Sequence, residues 1–323
     1  MILCITHSND FYTIDIVQRH LEKLGYQSFR LNSDKFAIDY QINYTLQKDG
    51  EDYCLSDTEQ SIHASQIEAV WYRKLWDLIV PNELDQTYRS VFRQEYQTAQ
   101  QLFINSIERI PWINNMQIDH AVGGDKLMQL KAARAAGLYI PQTLFSNDPA
   151  MIKHFYKICD TNVVAKLHGS LSKSMDGNTP FFPTTKLAAS DLENLEAMAY
   201  SPMIFQKHIV KAYELRIVYV DGVFFTGKIP ADGDKIDWRI VTGKPILWEQ
   251  YKLPEFLGLR LTEMMNKLGL HFGAIDMIRK PNGQYVFLEV NPQGEWGMLQ
   301  KHLGYPIGET IAEKLVARIK INK

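Results

Sequence analysis

Residues 285–296 read YVFLEVNPQGEW. Apolar side chains alternate toward Glu289 and Asn291, and Pro292 stops the pattern, so the stretch is expected to be a strand with a polar end. Residues two apart on a strand share a face. Glu289 and Asn291 therefore point the same way, a carboxylate beside a carboxamide where a buried strand would carry apolar groups.

The preceding run, HFGAIDMIRK at 271–280, is a second apolar strand interrupted by Asp276, and Pro281, Asn282 and Gly283 join the two. Asn-Gly between alternating runs is a strong hairpin signal. A loop of two or four residues puts Asp276 directly opposite Glu289, whereas a loop of three breaks that register. Facing Cβ atoms lie about 4.5–5.5 Å apart. Two bare carboxylates at that distance repel, so the arrangement makes sense chiefly with a cation between them. Asp276, Glu289 and Asn291 are hard oxygen donors of the kind Mg²⁺ takes, with phosphates and water completing its shell. The same three could instead be polar groups of an edge strand facing solvent, and spacing alone leaves both readings open.

Composition narrows the rest. The chain has 323 residues, 46% of them apolar and 22% charged, which fits a soluble globular protein of two or three lobes. A net charge of −2 offers no global basic field for nucleic acid. Cys4, Cys54 and Cys159 are far apart and form no Cys-x-x-Cys pair, which argues against a disulfide framework or zinc knuckle and for a reducing cytoplasm. No run approaches the ~20 apolar residues of a membrane helix, and MILCIT lacks the flanks of a signal peptide.

The opening alternates strand (2–6), helix to Gly25 and strand (27–32), an α/β lobe with another strand near Trp71. It has no Gly-x-Gly-x-x-Gly after its first strand, which favours a scaffold without a dinucleotide. A second unit begins near Asn114: a helix ended by Gly137, the strand NVVAKLHGS, a polar loop, a helix containing DLENLEAMA, and the strand MIFQKHI. The third holds LRIVYV and VFFTGKI around the turn Asp221-Gly222, then the hairpin with the carboxylates. The expected division is 1–113, 114–202 and 203–323.

Several cations interrupt this pattern. Lys166 sits in an otherwise apolar strand before a small polar loop, where it could hold a phosphate or simply snorkel. Lys126 precedes the helix of the second unit, while Arg216 and Arg239 each follow an acidic residue by two positions, as anion clamps or ion-pair halves.

In its order of lysine, strand lysine, strand arginine and Asp…Glu-x-Asn, the chain from about residue 115 onward resembles the ATP-grasp superfamily. The segments that carry the likeness are GDKLMQLKAARAAGLYIPQT, NVVAKLHGS, MIFQKHIVKAYELRIVYVDG, DWR, and FGAIDMI with YVFLEVNPQGEW. The resemblance implies an α/β (α+β) ATP-grasp fold with an N-terminal Rossmann-like pre-ATP-grasp domain, and ATP held between a central and a C-terminal lobe. Phosphate and adenine contacts would fall to Lys126 and Lys166, phosphate contacts to Arg216 and Arg239, and Mg²⁺ ligation to Asp276, Glu289 and Asn291. Backbone around Gln206, Lys207, His208 and Ile209 would read the adenine edge, with Glu214 at ribose or substrate. One departure is the loop after Lys166, serine-bearing with Gly177 where many ATP-grasp enzymes carry a glycine-rich run.

ITHSND, VWYRKLW and EVNPQGEW look like the microviridin-type graspetide macrocyclases. This narrower resemblance implies a cytoplasmic homodimer acting on a ribosomally made precursor peptide, with no nucleic acid or membrane as partner. The precursor's leader would dock at Asp191, Glu193 and Asn194, which could receive an arginine, and at Phe224 or Phe225. The implied reaction activates a Glu or Asp side chain as an acyl phosphate, which a Thr, Ser or Lys side chain of the same peptide then attacks. No general base is identifiable, and contact of Glu295 or Trp296 with peptide stays open. The alternatives are an ATP-grasp amino-acid ligase of the ribosomal-protein-modifying or glutathione-synthetase type, and a non-catalytic ATP-binding module.

Overall fold

The structure is a computed structural model that describes residues 1–168, 184–193, 195–231 and 247–322. Met1–Gln117, Leu270–Phe272 and Glu295–Lys323 form one compact unit, and Ile118–Gly269 with Gly273–Gly294 a second.

In the first unit, strand β1 (Ile2–Thr6) is buried at every position, as a central strand of a parallel sheet must be. It pairs in parallel with β2 (Ser28–Asn32). The connecting helix Thr13–Lys23 buries Ile14, Val17 and Leu21 on one stripe, and Gly25 at φ +83° ends it by donating its N–H to Glu22. A separate antiparallel sheet follows, β3 (Gln41–Gln47), β4 (Gly50–Ser56) and β5 (Ser61–His63), with Tyr53, Leu55 and Ile62 in the shared core. The chain then returns to the other side of β1 as β6 (Ala69–Tyr72), extended by β7 (Trp112–Ile113). Strand order β2-β1-β6-β7 thus reverses direction of growth between β1 and β6, a topological switch point at their carboxyl ends. The C-terminal helix Ile307–Asn322 packs against helix Thr13–Lys23 and β6.

The second unit contains helix Lys126–Ala135, ended by Gly137 at φ +75°. Its first sheet is antiparallel: β8 (Thr143–Ser146), β9 (Val163–Lys166), β10 (Thr185–Lys186) and β11 (Met203–Lys207), in the order β10-β9-β11-β8. Helix Pro149–Ile158, capped by the Asp148 carboxylate, buries Ile152, Phe155 and Tyr156 against it. The helix expected around DLENLEAMA is instead two short 3₁₀ helices, Ala189–Leu192 and Leu195–Tyr200. There the Asp191 carboxylate accepts the Ala188 N–H at 2.8 Å, closing a tight local turn in place of an α-helical start. Asn194 lies outside the described residues.

The other sheet contains β12 (Tyr213–Val220), β13 (Val223–Pro230), β14 (Glu249–Gln250), β15 (Phe272–Arg279) and β16 (Tyr285–Asn291), ordered β14-β13-β12-β15-β16. Asp221 and Gly222, both at positive φ, make the expected two-residue turn between β12 and β13. Helix Glu255–Leu268 covers the unit with Leu257, Leu261, Met264, Met265 and Leu268 buried.

The last hairpin departs from expectation at its turn. Lys280 N–H donates to Gln284, leaving a three-residue loop with Gly283 at φ +89°, and Arg279 pairs with Tyr285. This is the loop length that should misplace Asp276. A β-bulge corrects it: Met277 pairs with Phe287, Leu288 is passed over, and Asp276 pairs with Glu289.

Candidate active site

Strand β16 gains a second neighbour beyond β15. Phe287 N–H donates to Tyr139 at 2.8 Å, and Val290 N–H donates to the Gln129 side chain at 3.0 Å, which in turn donates to the Val122 carbonyl at 2.8 Å. These bonds fasten helix Lys126–Ala135 to the strand, and the Asp125 carboxylate caps the helix through Met128 N–H. Lys126, the first helical residue, consequently donates its ammonium to the Glu289 carboxylate.

Arg216 enters from β12, the other neighbour of β15, and its Nη1 lies 3.0 Å from both oxygens of Asp276. Each member of the opposed carboxylate pair therefore has a cation supplied by the chain. The expectation that an added cation was chiefly what could reconcile Asp276 with Glu289 is corrected: Lys126 and Arg216 already relieve the repulsion.

Beyond β16, Asn291 accepts the Gln293 N–H on Oδ1 and the Gly294 N–H on its carbonyl, both at 3.0 Å. Gln293 donates to the buried Asp119 at 2.6 Å, anchoring the turn. A Cβ on Gly294 would lie 2.2 Å from the Ala274 Cβ and 3.1 Å from Arg216 Nη2, so only glycine allows this turn to lie against the pair Arg216–Asp276. Gln129, Asp119 and Gly294 were not singled out by sequence reasoning. Glycine at 294 offered a signal, but what it makes room for is set by residues distant in sequence.

Among the described residues no group of three His, Cys, Asp or Glu side chains is placed so that it could hold a metal ion by itself. The set here is two opposed carboxylates and a carboxamide on adjoining strands, flanked by two cations. Mg²⁺ commonly uses one or two carboxylates and draws remaining ligands from substrate phosphates and water, so these donors fit it.

The other expected residues divide by partner. Lys166 ends β9 opposite Ile204. Gln206 is buried and donates to Thr143 at 3.0 Å, while Lys207 and His208 use their N–H groups on the Gln142 and Asn162 carbonyls. Lys207 also pairs with Asp160 at 3.3 Å. Ile209 directly follows this bonded run. Glu214 holds Lys211 at 2.5 Å. Asp191 and Glu193 are exposed, Phe225 is buried, and Phe224 packs on Tyr219 and beside Gly258. Arg239 and the loop 169–183 lie outside the described residues. In the first unit, Glu295 accepts from Arg73 at 2.6 Å and Trp296 is fully buried, a core residue rather than a surface one.

Comparison with known proteins agrees along the whole chain. The MvdD pre-ATP grasp domain family matches residues 1–120. The macrocyclase MdnB of Microcystis aeruginosa MRC is 38% identical, with a TM-score of 0.84 over 98% of each chain. MdnC of the same source, solved with its precursor peptide MdnA, is 30% identical, with a TM-score of 0.85 over 98% of this chain and 99% of that one. A RiPP-associated ATP-grasp ligase of Chryseobacterium gregarium, solved with ADP and a leader and core peptide, is 28% identical, with a TM-score of 0.89 over 98% and 96%.

Proposed function

We propose that this chain, which belongs to the microviridin-type ATP-grasp peptide macrocyclases, closes rings in a ribosomally made precursor peptide at the expense of ATP. The chain is an ATP-grasp ligase. The observation that best supports the chemistry is the Asp276–Glu289 pair bracketed by Lys126 and Arg216.

In the proposed reaction a Glu or Asp side-chain carboxylate of the peptide attacks the γ-phosphoryl of ATP, the bond from the γ-phosphorus to the bridging oxygen breaks, and ADP leaves an acyl phosphate on the peptide. A Thr or Ser hydroxyl, or a Lys amine, then displaces phosphate from the acyl phosphate to give an ω-ester or ω-amide. Such transfers ask a protein mainly for positioning and charge neutralisation. Mg²⁺, held by Asp276, Glu289 and Asn291, would neutralise phosphate oxygens. Arg216 clamps Asp276 in place and, with Arg239, is assigned to phosphate. Lys126 exchanges Glu289 for phosphate, and Lys166 binds phosphate or adenine. Gln206, Lys207, His208 and Ile209 flank the adenine, with Glu214 assigned to ribose or substrate.

The central lobe, 114–202, and the hairpin β12–β13 are assigned to the leader through Asp191, Glu193, Asn194, Phe224 and Phe225. A homodimer in the cytoplasm is the proposed working state, and three free thiols suit that compartment. Incubation with a candidate precursor peptide that carries a Thr/Ser- and Glu/Asp-rich core, together with MgATP, tests the reading. The expected product has lost one water per ring, and ester rings reopen in hydroxylamine. An unmodified peptide alongside ATP turnover would refute it.

A further inference from the structure

At the switch point of the first unit a charged cluster remains that the chemistry above does not use. Arg73 and Lys74 extend β6, both N–H groups still directed at the Ile5 carbonyl of β1. Arg73 is 2% exposed and satisfied: it bonds Glu295 at 2.6 Å and Thr13 at 3.4 Å, and it lies 4.0 Å from Asp10. Asp10 in turn accepts from Thr6 and Thr13 at 2.8 and 2.7 Å.

Lys74 is not satisfied in this way. Its side chain is 18% exposed, and the nearest carboxylate oxygen, on Glu295, is 4.0 Å away, beyond hydrogen-bond distance. Next to it the His7 ring is 7% exposed and stacks on Trp76 at 3.7 Å with 2° between planes. His7 Nδ1 is buried without a partner. The loop carrying His7 is fixed by Ser8, which donates to Asp34 at 2.9 and 2.6 Å, and by Arg30 on the His7 and Asp10 carbonyls. It continues into Phe11 and Tyr12, both exposed.

A largely buried ammonium and an imidazole nitrogen, both lacking hydrogen-bond partners, are costly in the free protein. We propose that Lys74 and His7 form a subsite at the carboxyl ends of β1 and β6 that binds a side-chain carboxylate of the peptide substrate. This rests on the peptide-modifying function proposed above. A carboxylate fits because it accepts from an ammonium and an imidazole N–H at once. Phosphate fits less well, since Asp10, Asp34 and Glu295 already surround the cluster with negative charge. The exposed Phe11 and Tyr12 give an adjoining apolar surface for neighbouring peptide residues.

Protonation supports the assignment. Burial, then the Arg73 charge, lowers Lys74 to about 8 against the opposing pull of Glu295 and Asp10. Burial and the Lys74 charge lower His7 to about 4, so its ring is neutral at pH 7. The charged groups facing Lys74 are Arg73 on its own strand end, Asp10 and His7 after β1, and Glu295 ahead of helix Gly297–Leu303; Asp34 bears on His7. A carboxylate bound here should be released as pH rises through about 8 and Lys74 loses its proton.

The test is calorimetric titration of the full chain with its precursor and with precursors in which each core Glu or Asp is replaced by Gln or Asn. One replacement should weaken binding to the wild-type chain roughly tenfold, the scale of one charge-assisted hydrogen bond. Lys74→Met should abolish that difference while Lys74→Arg keeps it, and His7→Phe, which preserves the stack on Trp76, should reduce it. Above pH 9 the wild-type chain should cease to distinguish the two peptides. Full discrimination in Lys74→Met, or none by a wild-type chain that still cyclises the precursor, overturns the subsite alone. A wild-type chain that neither binds nor cyclises the precursor overturns both readings.

Discussion

Asp276 stands opposite Glu289 although the turn joining their strands is set one residue out of that register, and the passed-over Leu288 makes up the difference. The bulge therefore decides whether two carboxylates meet. Deleting Leu288 would remove the bulge and bring Glu289 directly after Phe287, still opposite Asp276 but now in an unbroken ladder. We expect ATP turnover to survive in that variant with the sheet retained, measured by ADP release beside far-ultraviolet circular dichroism, and its loss would contradict the claim that the facing of the two carboxylates is what the bulge provides.

Glu289→Gln and Asp276→Asn keep shape and remove charge. Each should lower MgATP-dependent cyclisation at least ~100-fold, the upper end of what losing a metal ligand's supporting partner costs. Precursor binding should persist. Turnover at the wild-type rate in either variant would remove the metal assignment.

Lys126→Met leaves Glu289 without its cation. The pair is mostly buried, so a loss of about 1–3 kcal/mol is expected, below the full cost of breaking a wholly buried pair. Mg²⁺ should then supply the missing charge. Thermal unfolding of this variant should become more Mg²⁺-dependent than that of the wild-type chain, and equal dependence would contradict ligation by Glu289.

Gly294→Ala would drive a methyl group against Ala274 and toward Arg216. Overpacking of this kind costs about 1–3 kcal/mol. Activity should fall with it. Ala274→Gly in the same chain opens the space and should restore both stability and turnover, which a merely unstable turn would not predict.

His7 sets a pH dependence of stability. Its folded pKa, about 4, lies below the ordinary 6.5, so the unfolded chain takes up the proton first as pH falls. Stability from this group is complete above about 6.5 and is lost progressively down to about 4, by roughly 1–3 kcal/mol. Denaturant unfolding between those pH values should show the decline, flattened in His7→Phe.

How much of this was legible in sequence depended on where the information lay. Strand β1, helix Thr13–Lys23 with its Gly25 stop, and the Asp221-Gly222 turn follow from local pattern, and the structure places them as expected. Strand β3 is exposed along nearly all its length, so its alternation carries no burial signal. Helix Arg89–Ser106 buries only Gln100, Phe103 and Ile104, too thin a stripe to stand out. At the candidate site the opposed carboxylates were readable, but by a loop length that proved wrong and a bulge that offset it. The cations were noticed one by one. Their pairing was not legible, because Arg216 reaches Asp276 and Lys126 reaches Glu289 only through sheet order and the bond from Gln129 to β16.

The most direct measurement is intact-mass analysis of a candidate precursor peptide with a Thr/Ser- and Glu/Asp-rich core after incubation with the chain and MgATP. Macrocyclisation at this site requires successive losses of one water, matched by ADP release and absent with Glu289→Gln. A precursor that gains the mass of an added amino acid, or stays unchanged while ATP is consumed, would contradict it.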